Sequence, residues 1–430
     1  MSDREKLQAI KGFKDILPED SPTWRSLETT AREVLETYGY SEIRAPVLEY
    51  TDLFARSIGS ETDIVEKEMY TFDDPGGRSL TMRPEGTAGT VRAYIENGLY
   101  KSSPRLKVYY IGPMFRRERP QKGRLRQFHQ LGVEAFGTAS PIVDAEQMAM
   151  LDLFFSKVEV SGLELVINSL GCPVCRPAYR KKLSHFLVNI PEKELCSDCL
   201  RRRATNPMRV LDCKQEGCQE AIEGVPTIFD DLCDACRTHH KGLEKYLNIW
   251  GIKYRVEPKL VRGLDYYTRT AFEFLSGALG YQSAVAAGGR YDGLVEELGG
   301  PPTPAVGFAM GIERLMMLMS RQVEQARPDL FLALLGEKAT VLGLKLAQAL
   351  RVEGYKCEID YESRGLKGQM KVADRLGAGF ALILGDGEIE SGHATLQNMA
   401  DGRKVSVEIK GNEADIIGKI ASEIRKNKTS

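Results

Sequence analysis

Apolar positions recur at helical spacing early in the chain, where Trp24, Leu27, Val34 and Tyr38 share one face of the segment SPTWRSLETTAREVLETYGY. Ser21 is placed to cap this predicted helix, Pro22 suits its first turn, and Gly39 can close it. An extended piece broken at Pro46 follows. The segment RSLTMRPEGTAGTVRAYIENG then reads as strand, turn and helix, ended by Gly98. Lys107 to Phe115 and Gln127 to Phe136 are two β-rich runs. The basic tract RERPQKGRLR between them is too long for a tight turn, and long loops of this kind often carry function.

The pattern changes from about Leu170 to His240, which holds most of the cysteines and the basic run Arg201 to Arg203 and looks like a separate insertion. Strand-like text returns in YRVEPKLVRGLDYYTRTAFEFL and GYQSAVAAGGRYDGLV, and GFAMGIERLMMLM reads as strand, turn and helix. From about Pro328 strands and helices alternate through DLFLALLG, KATVLGLKLAQALRVEG, YKCEIDYE, GLKGQMKVADRLGA and GFALILGD, ending in a hairpin and a charged helix. These patterns predict an α+β protein. Residues 1–325 form a body on a mostly antiparallel sheet, residues 172–250 are inserted in it, and residues 328–430 form a small α/β domain with a mixed sheet.

Composition narrows the function classes. With 42% hydrophobic and 28% charged residues the chain reads as an ordinary globular protein, and its net charge of −1 means that any nucleic-acid surface must be local. The polar opening MSDREKLQAIKGFKD lacks a secretory pattern and no apolar run is long enough to span a membrane, so a cytoplasmic location is expected. In that compartment a disulfide framework is not expected. Cys172 and Cys175, Cys196 and Cys199, and Cys233 and Cys236 are CxxC pairs, and Cys213 and Cys218 are spaced CxxxxC. Two readings stand: one or two structural zinc sites, or free and occasionally oxidised thiols. The histidines show no metal-like spacing, and His129 alternates away from Gln130 on its strand.

No glycine-rich phosphate loop is present, so a bound nucleotide would have to be held by side chains. Candidates stand in TMRPEGT, FRRERPQKGRLRQFHQLGVE, LVRGLDYYTR and GIERL, each of which puts polar groups where a core strand would be apolar. A single arginine in such a place can be a surface ion-pair partner, but an ordered set of them points to an anion site.

FRRER within a hairpin and GFAMGIERL before a helix resemble motifs 2 and 3 of class II aminoacyl-tRNA synthetases, and IRAPVLE resembles their dimer-interface motif 1. LVRGLDYYTR and AAGGRYDGL are similar to the two signature segments of the histidyl-tRNA synthetase family, which KGFKDILPED and TNPMRVLDCK also resemble. The resemblance implies activation of histidine by ATP, with magnesium, then transfer to tRNA(His) by a homodimer. It implies that Arg116 and Arg262 grip the α-phosphate, Arg262 where other class II enzymes place a metal ion. Arg124 would reach the γ-phosphate, Arg314 would stack on adenine, and Glu118 would contact the adenine edge or a neighbouring arginine. Glu85, Thr87 and Gln130 would hold the ammonium and carboxylate of histidine, and Arg116 and Arg262 would border the histidine site as well as the phosphate. Glu134, Tyr266, Tyr267 and Tyr291 would surround its ring, with plain core aromatics as the alternative reading of Tyr266 and Tyr291. Asp265 would orient Arg262 or cap a turn. The loop residues Arg117, Arg119, Gln121 and Lys122 would face the acceptor stem, and the C-terminal domain would bind the anticodon. Family members often lack the cysteines, so zinc would not serve the reaction itself. A regulatory paralogue of histidine biosynthesis is the alternative, against which the retained signature segments and C-terminal domain argue. Another class II synthetase, for proline, threonine or glycine, is a further alternative that LVRGLDYYTR disfavours.

Overall fold

The computed structural model describes residues 7–428 apart from 60, 61, 63, 122, 280–282, 321, 322 and 363. The chain divides into two compact units, Met1–Val323 and Glu324–Ser430.

The first unit is built on an eight-stranded sheet. In spatial order its strands are Ser41–Glu42, Leu106–Phe115, Gln127–Phe136, Ala305–Gly311, Ser283–Arg290, Thr268–Ser276, Leu163–Ser169 and Arg255–Val256. All neighbours are antiparallel except the two short edge strands, which pair parallel. Strand Gln127–Phe136 shows how the sheet separates core from site. Leu131, Val133 and Ala135 enter one apolar cluster with Trp24 and Leu27 of helix Ser21–Thr37 and Met148 and Phe154 of helix Pro141–Lys157. By the two-residue period of a strand, Gln130, Gly132 and Glu134 face the opposite way.

Local signals set the element ends. Ser140 Oγ accepts from the Ile142 N–H at 3.3 Å, with Pro141 in the first turn behind it. The expected cap at Ser21 is corrected: Ser21 is itself the first helical residue, and its hydroxyl donates back to Leu17 O at 2.9 Å. LVRGLDYYTR is also corrected. Residues 257–267 form an irregular segment, and the strand starts only at Thr268. The segment is held by side chains instead, since Asn168 Nδ2 donates to Pro258 O and Leu260 O.

The insertion contributes helices Arg176–Val188, Ser197–Thr205, Glu216–Ala221 and Asp234–Ile249. Its apolar side chains do not form a separate core. Tyr179, Leu183 and Val210 share one cluster with Tyr94, Phe136 and Leu294 of the body. A small three-stranded sheet, ordered Leu48–Tyr50, Ser79–Met82, Tyr70–Asp73, carries the segment after Pro46.

The second unit is a five-stranded mixed sheet ordered Cys357–Ile359, Leu330–Leu335, Phe380–Gly385, His393–Asn398, Lys404–Glu408, of which the first three run parallel. Buried Gln369 takes the place of a strand neighbour, accepting from Leu334 N at 2.8 Å and donating to Leu334 O at 2.7 Å. A short helix, Asp386–Ser391, was not expected from the pattern.

One buried ion pair ties the body together. Arg290 and Asp144 are fully buried, and the guanidinium donates to the carboxylate at 2.9, 3.0 and 2.6 Å. It also donates to Thr138 O and Ser140 O. Burial alone would raise the Asp144 pKa, but the charge of Arg290 and the hydrogen bond to His239 hold it below the usual carboxylate value. Asp144→Asn should therefore lower stability by about 3–5 kcal/mol, because it leaves the buried guanidinium with only the partly exposed Asp292, 3.2 Å away, as a counter-charge. Urea unfolding of the two proteins measures this, and equal midpoints would contradict it.

Candidate active site

Every residue assigned above to histidine or ATP lines one cavity of roughly 330 Å³ in the first unit. It opens between the hairpin of strands Leu106–Phe115 and Gln127–Phe136, the segment 83–87, the irregular segment 257–267 and the start of helix Ile312–Met316.

Its deepest part is acidic. Glu134 is fully buried and accepts from Thr87 Oγ1 at 2.7 Å, from Tyr110 at 3.4 Å and from the Tyr291 hydroxyl on its other oxygen. Burial, with the nearby charge of Glu85, pushes its pKa up to about 8 despite these donors. Glu85 accepts from the Thr87 and Ala88 N–H groups at 2.6 and 2.9 Å, so it caps helix Thr87–Glu96. Burial raises its pKa too. Tyr266, Tyr267 and Tyr291 are buried around this floor, with Tyr266 and Tyr291 in edge contact at 5.7 Å.

Glycines make the floor. A Cβ at Gly307 would overlap the Glu134 carboxylate. One at Gly86 or Gly132 would overlap the ring of Tyr110, which is thereby wedged between them under Glu134.

The outer part is basic. Arg262 donates to Glu273 at 2.5 Å and lies over the Tyr267 ring at 5.3 Å. Burial would lower its pKa, but Tyr267 and Glu273 raise it, so it keeps its charge. Arg116 donates to Pro84 O at 2.9 Å and lies over Phe128 at 5.3 Å. Arg314 donates to Gly123 O and Ala284 O, which brings the tip of the 116–126 loop against the cavity. Glu118 pairs with Arg124 at 3.1 Å.

Two polar atoms on the lining are buried and have no partner among the described residues: Gln130 Oε1 and Arg262 Nε. An acceptor and a charged donor left in this state fit a ligand that supplies their partners.

Other predicted positions lie elsewhere. Arg117, Arg119 and Gln121 are exposed on the loop outside the cavity lining, and Lys122 lies outside the described residues. Arg83 is a structural brace, donating to Ala45 O and Pro113 O. Asp265 does not meet Arg262 but accepts from Asn206 at 3.0 Å, correcting the orienting role weighed for it. Glu313 accepts from the backbone and ring of His129, whose ring packs on Trp24. Sequence reasoning missed Glu273, Tyr110 and Phe128. Glu273 lies between Phe272 and Phe274 of the core, an alternation that could have shown it facing the site. Phe128 shares a face with Gln130 by the same rule.

The insertion's cysteines gather in two groups, Cys172, Cys175, Cys233, Cys236 and Cys196, Cys199, Cys213, Cys218, with the sulfurs of each group within 4.8 Å of one another.

An antiparallel sheet bearing a hairpin arginine and a helix-start arginine over one polar cavity is the catalytic fold of a class II aminoacyl-tRNA synthetase. Residues 12–315 match the family profile described as Histidyl-tRNA synthetase, and residues 329–417 one described as Anticodon binding domain. The chain belongs to the histidyl-tRNA synthetase family. It is 51% identical over 403 residues to a histidine–tRNA ligase of Trichlorobacter lovleyi, covering 94% of this chain and 96% of that protein. It is 52% identical over 401 residues to that of Geobacter sulfurreducens, covering 93% and 97%. The crystal structure of apo Staphylococcus aureus histidyl-tRNA synthetase superposes with a TM-score of 0.79 at 40% identity, covering 96% of this chain and all of that one. No helix among the described residues is long and apolar enough to cross a membrane.

The raised pKa of Glu134 gives a pH signature. Its folded value of about 8 lies above the ordinary carboxylate value, so its contribution to stability is present at acid pH and is lost as pH rises through about 8. Without ligand, the stability of wild type relative to Glu134→Gln should fall as pH rises from about 4.5 to about 8 and level off above that in denaturant titrations. A pH-independent difference would show that Glu134 titrates normally.

Proposed function

We propose that this protein activates histidine with ATP, forming histidyl-adenylate and pyrophosphate, and then transfers the histidyl group to the 3′ end of tRNA(His). The observation that carries this reading is the division of charge in one cavity. Two carboxylates with raised pKa values lie at the buried floor, and partly exposed arginines line the outer part. A cationic ammonium and an imidazole N–H suit the first, and a triphosphate suits the second.

In this reading Glu134 accepts from the imidazole, while Tyr266, Tyr267 and Tyr291 enclose the ring. Glu85, Thr87 and Gln130 hold the α-amino and carboxylate groups. A site that pairs both ring nitrogens rejects amino acids lacking them by about 10⁴ or more without editing. The histidine carboxylate needs no base, since it is already ionised at neutral pH. It attacks the α-phosphorus, and pyrophosphate leaves. Arg116 and Arg262 stabilise the charge that builds on the phosphoryl oxygens, Arg124 holds the γ-phosphate, and Arg314 and Phe128 flank the adenine. The partnerless Nε of Arg262 supports its role as a phosphate donor.

The exposed cations Arg117 and Arg119, with Gln121, face the acceptor stem. The unit Glu324–Ser430 binds the anticodon. Magnesium accompanies ATP as its counter-ion, and the insertion's thiolates hold structural zinc. The reaction runs in the cytoplasm, in a homodimer. Leu48, Tyr50 and Phe72, exposed on the small sheet after Pro46, support that interface.

The test is histidine-dependent exchange of pyrophosphate into ATP, where exchange driven by another amino acid in place of histidine overturns the reading. Arg262→Ala should lower this activity by about 10²–10³ while changing histidine affinity much less. Near-normal exchange by the variant would remove Arg262 from the mechanism. Deleting residues 324–430 should reduce tRNA charging far more than exchange, and equal losses would contradict a dedicated tRNA-binding unit.

A further inference from the structure

The cysteine-rich insertion meets the active site from behind. The two sulfur groups are nested along the chain, since residues 172, 175, 233 and 236 enclose the segment that holds residues 196, 199, 213 and 218. Cys172 lies 3.8 Å from both Cys175 and Cys233, Cys175 lies 3.8 Å from Cys236, and Cys196 lies 3.9 Å from Cys213. Four thiolates bound tetrahedrally at a Zn–S distance of about 2.3 Å stand about 3.8 Å apart. The grouping within 4.8 Å leaves room for one ion per group and none for a multi-iron cluster. Backbone N–H groups already point at the sulfurs: Cys172 N at Cys175, Cys196 N at Cys218 and Gln215 N at Cys213. Such donors stabilise thiolate charge and orient the ligands.

Each group also ends in a contact to a segment that lines the cavity. Arg176 follows Cys175 directly and donates to Tyr267 O at 2.6 Å, while Gly171 O accepts from Arg269 N and Thr268 Oγ1. Between Cys199 and Cys213, Asn206 donates to Asp265 and Arg209 donates to Arg262 O at 3.0 Å. Gly263 leaves the space that the Arg209 guanidinium occupies, because a Cβ there would approach it to 3.0 Å.

We propose that the insertion binds two zinc ions, one in each four-cysteine group, and that these ions hold Arg176 and Arg209 against the backbone of Tyr267 and Arg262 and so set the geometry of the activation site. The ions touch no substrate. Arg176 and Arg209 are positioning residues, the first acting on the histidine side through Tyr267 and the second on the phosphate side through Arg262. The metal half of this proposal is independent of the activity proposed above, whereas the positioning half rests on it.

The experiment starts with full-length protein purified without chelator, assayed for metals and for zinc released by a thiol-specific mercurial. Two zinc ions per chain are expected, falling to one in Cys236→Ser and to one in Cys218→Ser. Should either variant fail to fold, the mercurial titration of wild type still reads the number of ions. Arg209→Ala should keep two zinc ions and lower kcat of pyrophosphate exchange by roughly tenfold or more, with KM for histidine little changed. Arg176→Ala should instead raise KM for histidine, and Arg209→Lys should recover part of the lost kcat. Zinc well below one ion per chain, cysteines recovered as disulfides, or another metal in their place would overturn the metal assignment. Wild-type kinetics in both arginine variants would overturn the positioning role. Two zinc ions in a protein with no histidine-dependent exchange would overturn the positioning role together with the proposed activity and leave the metal assignment standing.

Discussion

A carboxylate buried with no cation bonded to it is the constraint around which this site is arranged. Glu134 is fully buried, its hydrogen-bond partners are hydroxyls, and no basic side chain pairs with it among the described residues. Removing a charge from water without a counter-charge is expensive, and the group responds by holding its proton to about pH 8. The surroundings serve that one group. Gly307 gives its carboxylate room, and Gly86 and Gly132 admit Tyr110 beneath it. Tyr291 reaches it from the segment that Arg290 anchors to Asp144. A floor of this kind is least costly when a ligand brings N–H donors to it, as an imidazole ring and an ammonium do.

The outer cavity meets the opposite condition. Each of its guanidiniums has a partial partner: Glu273 for Arg262, Glu118 for Arg124, carbonyl oxygens for Arg116 and Arg314. Partial pairing fixes direction while leaving donors for phosphate, most plainly at Arg262, where one N–H is buried and unmatched. The acidic floor and basic rim share one cavity but come from different elements: Glu134 stands within strand Gln127–Phe136, whereas Arg116 and Arg124 come from the loop after strand Leu106–Phe115, Arg262 from the irregular segment 257–267 and Arg314 from helix Ile312–Met316.

How much of this was legible in the sequence depended on whether a residue's partner lay nearby in the chain. The strand runs 106–115 and 127–136, the alternation after Pro328 and the ordered polar segments could be read directly, because period and motif are local. What failed was non-local. Ser21 looked like a cap, but the preceding residues turn so that its hydroxyl meets Leu17. LVRGLDYYTR looked like strand, but Arg209 and Asn168, both distant in sequence, hold it as a loop. Glu273 shows in the alternation with Phe272 and Phe274, but its pairing with Arg262 is non-local, and the nested grouping of the cysteines could not follow from CxxC spacing, which is silent on which pairs meet.

The most direct test of the central claim is a crystal structure with a non-hydrolysable histidyl-adenylate analogue. The account predicts the imidazole on the buried floor within hydrogen-bond distance of Glu134, and the phosphate surrogate between the guanidiniums of Arg116 and Arg262. An imidazole lodged among the arginines, or a phosphate surrogate that touches neither of them, would contradict it.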